Sequence, residues 1–333
     1  MSLLVGAGGR VRWGWRLGLF FLLAVGGSFL LGGLAYALVP GLGAGGSAAS
    51  PFVGVGLTLV AALLASWVVA RALEGVPLAA LGLPMDAGSA REAGLGFLVG
   101  GGLIAAVVAL LAATGAVTWS AGAGFGAESA AGPVVATLFL CLAAMEEELL
   151  FRGYPLQLLA GRVGGPAAIG ITAVGFGLLH AFNPGLDPIA LLNIVLAGIL
   201  LGTAYWRTFS LWFAAGVHLG WNWVMGVASD LPVSGIGPGR TGFGFLDTPG
   251  VDAATHGPAW WSGGAFGPEA GLAVTLVTLV AIAWVARTPL LGRTDRGAGA
   301  TPLPLRLRDG SGGGPGGGSD PAARPGAADG ENA

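Results

Sequence analysis

The sequence contains no lysine, and its 15 basic residues, all arginine, face 17 acidic ones for a formal net charge of −2. No basic patch for nucleic acid is available, so a nucleic-acid partner is excluded. Charged residues make up only 10% of the chain, whereas soluble domains carry roughly 25%, which excludes an ordinary soluble domain. The single cysteine, Cys141, excludes an intramolecular disulfide framework. Only three histidines are present, so few residues are available for acid–base or metal chemistry. What is abundant is apolar: 54% of the residues are hydrophobic, with a mean hydropathy of +0.78. Most of the 64 glycines lie inside apolar runs, where small residues let membrane helices approach closely. The missing lysine, with the excess of alanine and glycine, reads as translation from a GC-rich bacterial genome.

These runs are long enough to cross a hydrocarbon layer about 30 Å thick. The first, Leu17 to Val39, follows Arg10, Arg12 and Arg16 and ends in Ala35-Tyr36-Ala37, which superficially resembles a signal peptide with its cleavage site. Its 23 apolar residues exceed the signal core of about 7 to 15, so a retained helix is expected. Further spans are expected at Phe52–Ala70, Ala93–Val117, Gly132 to about Ala160, Pro166–Phe182, Ile189–Trp206, Ser210–Ala228 and Ala270–Ala286, eight in all. The fold class is therefore all-α, a polytopic transmembrane bundle. With a cytoplasmic N-terminus, the inner segments hold every arginine except Arg240 in an outer segment and Arg152 within the fourth span, as the positive-inside tendency requires. Trp13, Trp15, Trp206, Trp260 and Trp261 fall at or near span ends, where interfacial aromatics belong. The expected organisation is three N-terminal spans in 1–131, a four-span core in 132–228, an extracytoplasmic loop and last span in 229–287, and a disordered cytoplasmic tail in 288–333. The loop Ser229–Glu269 is rich in Gly, Pro and Asp and reads as irregular. No internal repeat of the transporter kind is evident.

A carboxylate inside a membrane span costs about 2.5–3.5 kcal/mol even on lenient scales and marks function by default. The fourth span carries Glu146, Glu147 and Glu148 in succession. Glu148 and Arg152 stand at i,i+4, which allows an ion pair on one helix face. Glu147 lies about 100° around the helix, has no basic i+4 partner, and can face a cavity. Glu146 points roughly opposite the bisector of that pair. The turn over Gly161–Gly165 has its midpoint equally far along the chain from Glu147 and from His180, so an antiparallel hairpin brings the two to one membrane depth. A carboxylate and an imidazole at one level are a candidate acid–base pair. His218 and Asn222, again i,i+4 on the seventh span, can project donors that stabilise an oxyanion. His256 lies in the outer loop and receives no role.

As spaced here, these residues resemble the intramembrane glutamic endopeptidases of the CPBP family, the CAAX proteases and bacteriocin-processing enzymes that include the type II CAAX prenyl endopeptidase. The first motif matches Glu147, Glu148 and Arg152 in EEELLFRGYPLQ, the second Phe176 and His180 in FGLLH, the third His218 and Asn222 in HLGWN. The resemblance covers roughly Gly132 to Ala228. It implies a catalytic chamber within the bundle, open to the cytoplasmic side or laterally to lipid, in which Glu147 and His180 activate a water and His218 and Asn222 hold the oxyanion. Glu148, Arg152 and Phe176 support the site. The implied partner is a membrane-associated peptide or protein substrate, and no cofactor is expected. Two alternatives stay open. Glu147, His180 and His218 could together ligate Zn2+ as in a metalloprotease, although no H-E-x-x-H is present. The same residues could also line a proton path or a non-catalytic immunity or binding protein.

Overall fold

The computed structural model describes residues 11–39, 49–122, 132–237 and 251–292, together with positions 4 and 42. It is an all-α bundle with one small antiparallel ribbon. Four of the described helices have the length and hydropathy to cross a membrane: α1 (Trp13–Leu38), α2 (Pro51–Leu73), α3 (Ala87–Ala113) and a later one, Pro188–Thr208. The chain is accordingly a membrane protein. Between them lie the ribbon strand β1 (Val117–Ala121) and the helices α4 (Gly132–Phe151), α5 (Tyr154–Val163) and α6 (Gly165–Leu179). The fourth long helix is α7 (Pro188–Thr208). It leads into α8 (Leu211–Trp223), which a π-helical turn extends over Val224–Ala228. Strand β2 (Val251–Thr255) and helix α9 (Leu272–Arg287) complete the described chain.

Several boundaries differ from the sequence reading for identifiable reasons. The third span begins six residues before Ala93, because the Asp86 side chain caps α3 by accepting from the Gly88 and Ser89 amides while Ser89 answers in a capping box. Its expected end, Val117, belongs instead to β1. The expected continuous fourth span is two helices. Gly153, at φ −66° and ψ −114°, breaks the ladder after Phe151, and Pro155, which has no amide hydrogen to satisfy, opens the first turn of α5. The outer segment is not wholly irregular: β2 pairs with β1 in register from Val117 opposite Thr255 to Ala121 opposite Val251. His256 serves that ribbon, its Nε2 lying 2.8 Å from the Thr118 hydroxyl. Residues 238–250 of the loop, and the tail from 293 on, lie outside the described residues.

Helices α3 and α8 cross with their backbones in contact. A Cβ on Gly100 would overlap the Val217 carbonyl, and one on Gly216 or Gly220 would overlap the carbonyl of Ala93 or Phe97. Small residues thus replace side-chain interdigitation at this crossing. Ser210 pins the start of α8: it caps the helix through the Phe213 amide and donates 2.6 Å to buried Glu92 of α3. This crossing holds α8 in place, and α8 carries His218 and Asn222.

Candidate active site

Glu147 and Glu148 stand in the last turns of α4 and face different surroundings. Glu148 is fully buried, and its Oε1 accepts from Arg152 Nη1 at 3.0 Å. The other face of the guanidinium lies over the Phe176 ring, 4.4 Å from its centroid, and Nη2 reaches the Gly198 carbonyl at 3.3 Å. Phe176 is the hub of this layer, with ring centroids 4.7 Å from His180 and 5.9 Å from His218.

Glu147 opens onto a cavity of about 320 Å3. His180, at the C-terminal cap of α6, and His218 of α8 flank it. Glu147 Oε1 is 3.9 Å from His180 Nε2, and Glu147 Oε2 is 3.7 Å from His218 Nε2. Glu147 and His180 therefore meet, as the hairpin spacing predicts, even though the descending helix is interrupted. Asn222 also lines the cavity. Glu146 does as well: the chamber spans a wide arc of α4, so residues 100° apart both reach it, and Glu148 is the acid that turns away.

The two imidazoles share a design. His180 Nδ1 lies 2.9 Å from the Phe176 carbonyl oxygen, an acceptor only, so that nitrogen carries the hydrogen. His218 Nδ1 lies 3.2 Å from Glu148 Oε1, the same oxygen that accepts from Arg152, and it too serves as donor. In their neutral forms both rings thus direct an unprotonated Nε2 toward Glu147. Such fixing of one ring nitrogen by a carbonyl or carboxylate sets the chemistry of the other. Among the described residues, no group of three or more His, Cys, Asp or Glu side chains is arranged to hold a metal ion.

Part of the chamber wall comes from segments to which the sequence assigned no role. Glu269, on a 3-10 turn (Pro268–Ala270) before α9, is buried on the cavity wall. It accepts from the Trp221 indole at 3.2 Å, from the Ser234 amide at 2.6 Å and from the Ser234 hydroxyl at 2.9 Å. Asn183 donates to the Ser234 carbonyl at 2.8 Å, which ties the turn after α6 to the same part of the wall. The only signal in the sequence was an acid at the edge of an apolar run.

Residues 129–224 match the family model for type II CAAX prenyl endopeptidase Rce1-like proteins. No curated protein and no solved structure matches the chain. The matched segment contains Glu147, His180, His218 and Asn222, together with the Glu148–Arg152 pair and Phe176 that underlie them. Over that segment the chain is similar to Rce1-like type II CAAX prenyl endopeptidases.

Proposed function

We propose that the protein is an intramembrane endopeptidase in which Glu147, with His180 and His218, activates a water molecule for attack on a peptide carbonyl. The observation that carries this reading is the convergence of one carboxylate and two Nε2 lone pairs on a single point of the chamber wall. Both N···O separations exceed a direct hydrogen bond and suit a water shared between the groups. Such a water gives up a proton to an acceptor as its oxygen attacks. The ring tautomers alter the division of labour expected from the motif. A neutral His218 has no hydrogen on Nε2 to offer an oxyanion; once it has taken a proton it has one on each nitrogen. His218 therefore becomes a donor to the tetrahedral intermediate only after the proton that Glu147 takes from the water passes to its Nε2, 3.7 Å from Glu147 Oε2. The Asn222 amide supplies the donor that is present from the start. Glu148, Arg152 and Phe176 hold the rings rather than touch the substrate.

The decisive experiment is hydrolysis of a membrane-protein and peptide panel by the full chain in nanodiscs. Glu147→Gln should bind substrate and fail to cleave it, because an amide has no lone pair basic enough to take the proton. Losing the base costs about 10²–10⁴ in rate. Asn222→Ala should lower turnover by about 10²–10³ with little change in substrate affinity. Cleavage by Glu147→Gln at the wild-type rate refutes the mechanism.

A second reading shares only the ring orientation, because metal-bound histidines also donate their other N–H to a carbonyl or carboxylate, while the three side chains as they stand are not arranged to hold a metal ion. Inhibition by phenanthroline that added Zn2+ reverses would select it, with Glu147, His180 and His218 as ligands. For topology we adopt the multi-pass arrangement with both termini cytoplasmic. Reporter fusions after Ser47 and after Asp252 should then read as external, and one after Gly310 as cytoplasmic.

A further inference from the structure

Glu269 lies beyond residues 129–224, outside the family match, yet it is buried and lines the chamber. Its two carboxylate oxygens reach different parts of the wall. Oε1 accepts from the indole of Trp221, the residue that precedes Asn222 on α8, at 3.2 Å. Oε2 accepts from the amide and the hydroxyl of Ser234, at 2.6 Å and 2.9 Å. The Glu269 backbone carbonyl accepts from Asn193 of α7 at 2.8 Å, and the Thr275 hydroxyl of α9 donates to Asn193 at 2.7 Å. Glu269 is thus fixed to α7 and α9 through its backbone and reaches α8 and the Ser234 turn through its side chain.

Ser234 carries the connection on to His180. With Gly235 it forms a tight turn inside the bridge between Val233 and Ile236, and both residues are left-handed, at φ +50° and +82°. Glycine adopts that conformation freely and serine does not, so the turn needs support from outside, which the Glu269 carboxylate provides. The turn presses on the chain that follows α6. A Cβ on Gly235 would overlap the Pro184 carbonyl, and the Ser234 carbonyl accepts from the Asn183 side chain at 2.8 Å. The Asn183 amide in turn donates to the His180 carbonyl at 3.0 Å. A path of hydrogen bonds therefore runs from the neighbour of Asn222, through Glu269 and Ser234, to the residue that caps α6. Because the Asn222 amide must face the oxyanion, its place comes from the α8 backbone. Gly216 and Gly220 seat that backbone on α3, and the Trp221–Glu269 bond braces it on the chamber side.

We propose that Glu269 is a positioning residue for the reaction, bracing the turn of α8 that presents Asn222 against the turn that follows His180, and so setting the oxyanion donor in register with Glu147 and His180. This rests on the endopeptidase reading for its chemistry, but the brace is measurable without turnover. Hydrogen bonds into a carboxylate are shorter and stronger than neutral ones, which suits an acid rather than an amide at this position.

The test uses the full chain in nanodiscs, a peptide that the wild type cleaves, and the variants Glu269→Gln, Trp221→Phe and Asn222→Ala, alone and combined. Displacement of reacting groups by about 1 Å can cost 10²-fold, so Glu269→Gln should lower the kcat of the folded protein by about 10- to 100-fold with little change in KM. Trp221→Phe, which removes one N–H and keeps a ring in place, should lower kcat by a smaller factor. In the Asn222→Ala background both changes should cost less than they do alone, because the group they position is gone. Backbone hydrogen exchange over 181–187 and 230–236 should quicken at least about tenfold in Glu269→Gln, while α3 stays protected. An unchanged kcat, equal losses with and without Asn222, or unchanged exchange in the two segments overturns the proposal. If Glu269→Gln does not fold, Trp221→Phe decides by its kcat and by its coupling to Asn222→Ala. A wild type that cleaves nothing counts against the endopeptidase reading, and faster exchange in both segments would still sustain the brace.

Discussion

Glu148 and Arg152 close their ion pair across one helical turn, 3.0 Å apart and fully buried, whereas Arg16 and Glu74 close theirs at 2.7 Å across 58 residues of chain. The two pairs do different work. Glu148 Oε1 also receives His218, so the local pair sets the orientation of a ring in the chamber. Glu74 Oε1 also receives the Tyr154 hydroxyl at 2.8 Å, so the distant pair joins the start of α1 and the end of α2 to the first turn of α5. Their completeness differs as well. In the local pair, Glu148 Oε2 and Arg152 Nε have no hydrogen-bond partner among the described residues, while Arg16 Nε is satisfied by the Val11 carbonyl at 2.8 Å. A buried pair with open valences near a reactive site suits a site that must tolerate a change of charge beside it. A pair tied to a backbone carbonyl and a tyrosine far from it suits a clamp. Neither is evidence of high stability in itself, since the cost of desolvating two ions offsets much of their attraction.

Removing one member of the local pair should produce the largest effect. Glu148→Gln leaves Arg152 as a fully buried cation with a neutral partner, which should cost about 3–5 kcal/mol. It also removes the carboxylate that fixes His218, so the fraction that still folds should turn over slowly. Thermal melting and specific activity, measured on Glu148→Gln beside Glu147→Gln, separate the two effects. Glu147→Gln should lose activity while its melting temperature barely moves. Equal losses of stability in both variants would show that the two glutamates do not divide their roles as the structure indicates.

Breaking the distant pair should cost less and spare the chemistry. Glu74→Gln should lose about 3 kcal/mol, the lower end of the same range, because Arg16 stands near the start of α1 beside exposed Trp13 and Trp15. The kcat of the folded fraction should be unchanged. A fall in kcat comparable to that of Glu148→Gln would mean that the clamp transmits to the chamber through α5 and the Gly153 break.

The comparison also shows what could be read from the chain and why. Glu148 with Arg152, and His218 with Asn222, were visible because i,i+4 spacing is geometry in one dimension. Glu147 with His180 was visible because one tight turn connects their helices and fixes the depth. Arg16 with Glu74, Glu92 with Ser210, and Glu269 with Trp221 and Ser234 join elements far apart in sequence, so no spacing announces them. Arg16 counted only as a positive flank, and Glu269 only as a loop residue. At Gly153 and Pro155 the sequence offers reason for a kink but not for two separate helices, because an apolar pattern continues through them, and the ribbon was hidden because Val117 ends an apolar run that reads as helix. The all-α character needed only composition, but the number of crossings needs more than apolar length: four described helices meet that measure, while α6 and α9 are apolar but shorter.

The smallest effect should come from the neutral aromatic beside each pair, and it should still tell them apart. Tyr154→Phe removes a hydrogen bond to a carboxylate, worth about 1.5–3 kcal/mol, and should leave kcat alone. Phe176→Leu removes the ring face from Arg152, a cation–π contact worth about 2 kcal/mol when desolvated, and leaves part of the lost volume filled. Its cost in stability should therefore be similar or smaller. The ring also packs against both His180 and His218, and its loss frees two imidazoles to rotate away from Glu147. Misplacement of reacting groups by about 1 Å can cost 10²-fold in rate, so Phe176→Leu should reduce kcat far more than its melting temperature suggests. Equal kcat for the two variants would mean that the rings are held by their Nδ1 hydrogen bonds alone and that Phe176 serves only to cover Arg152.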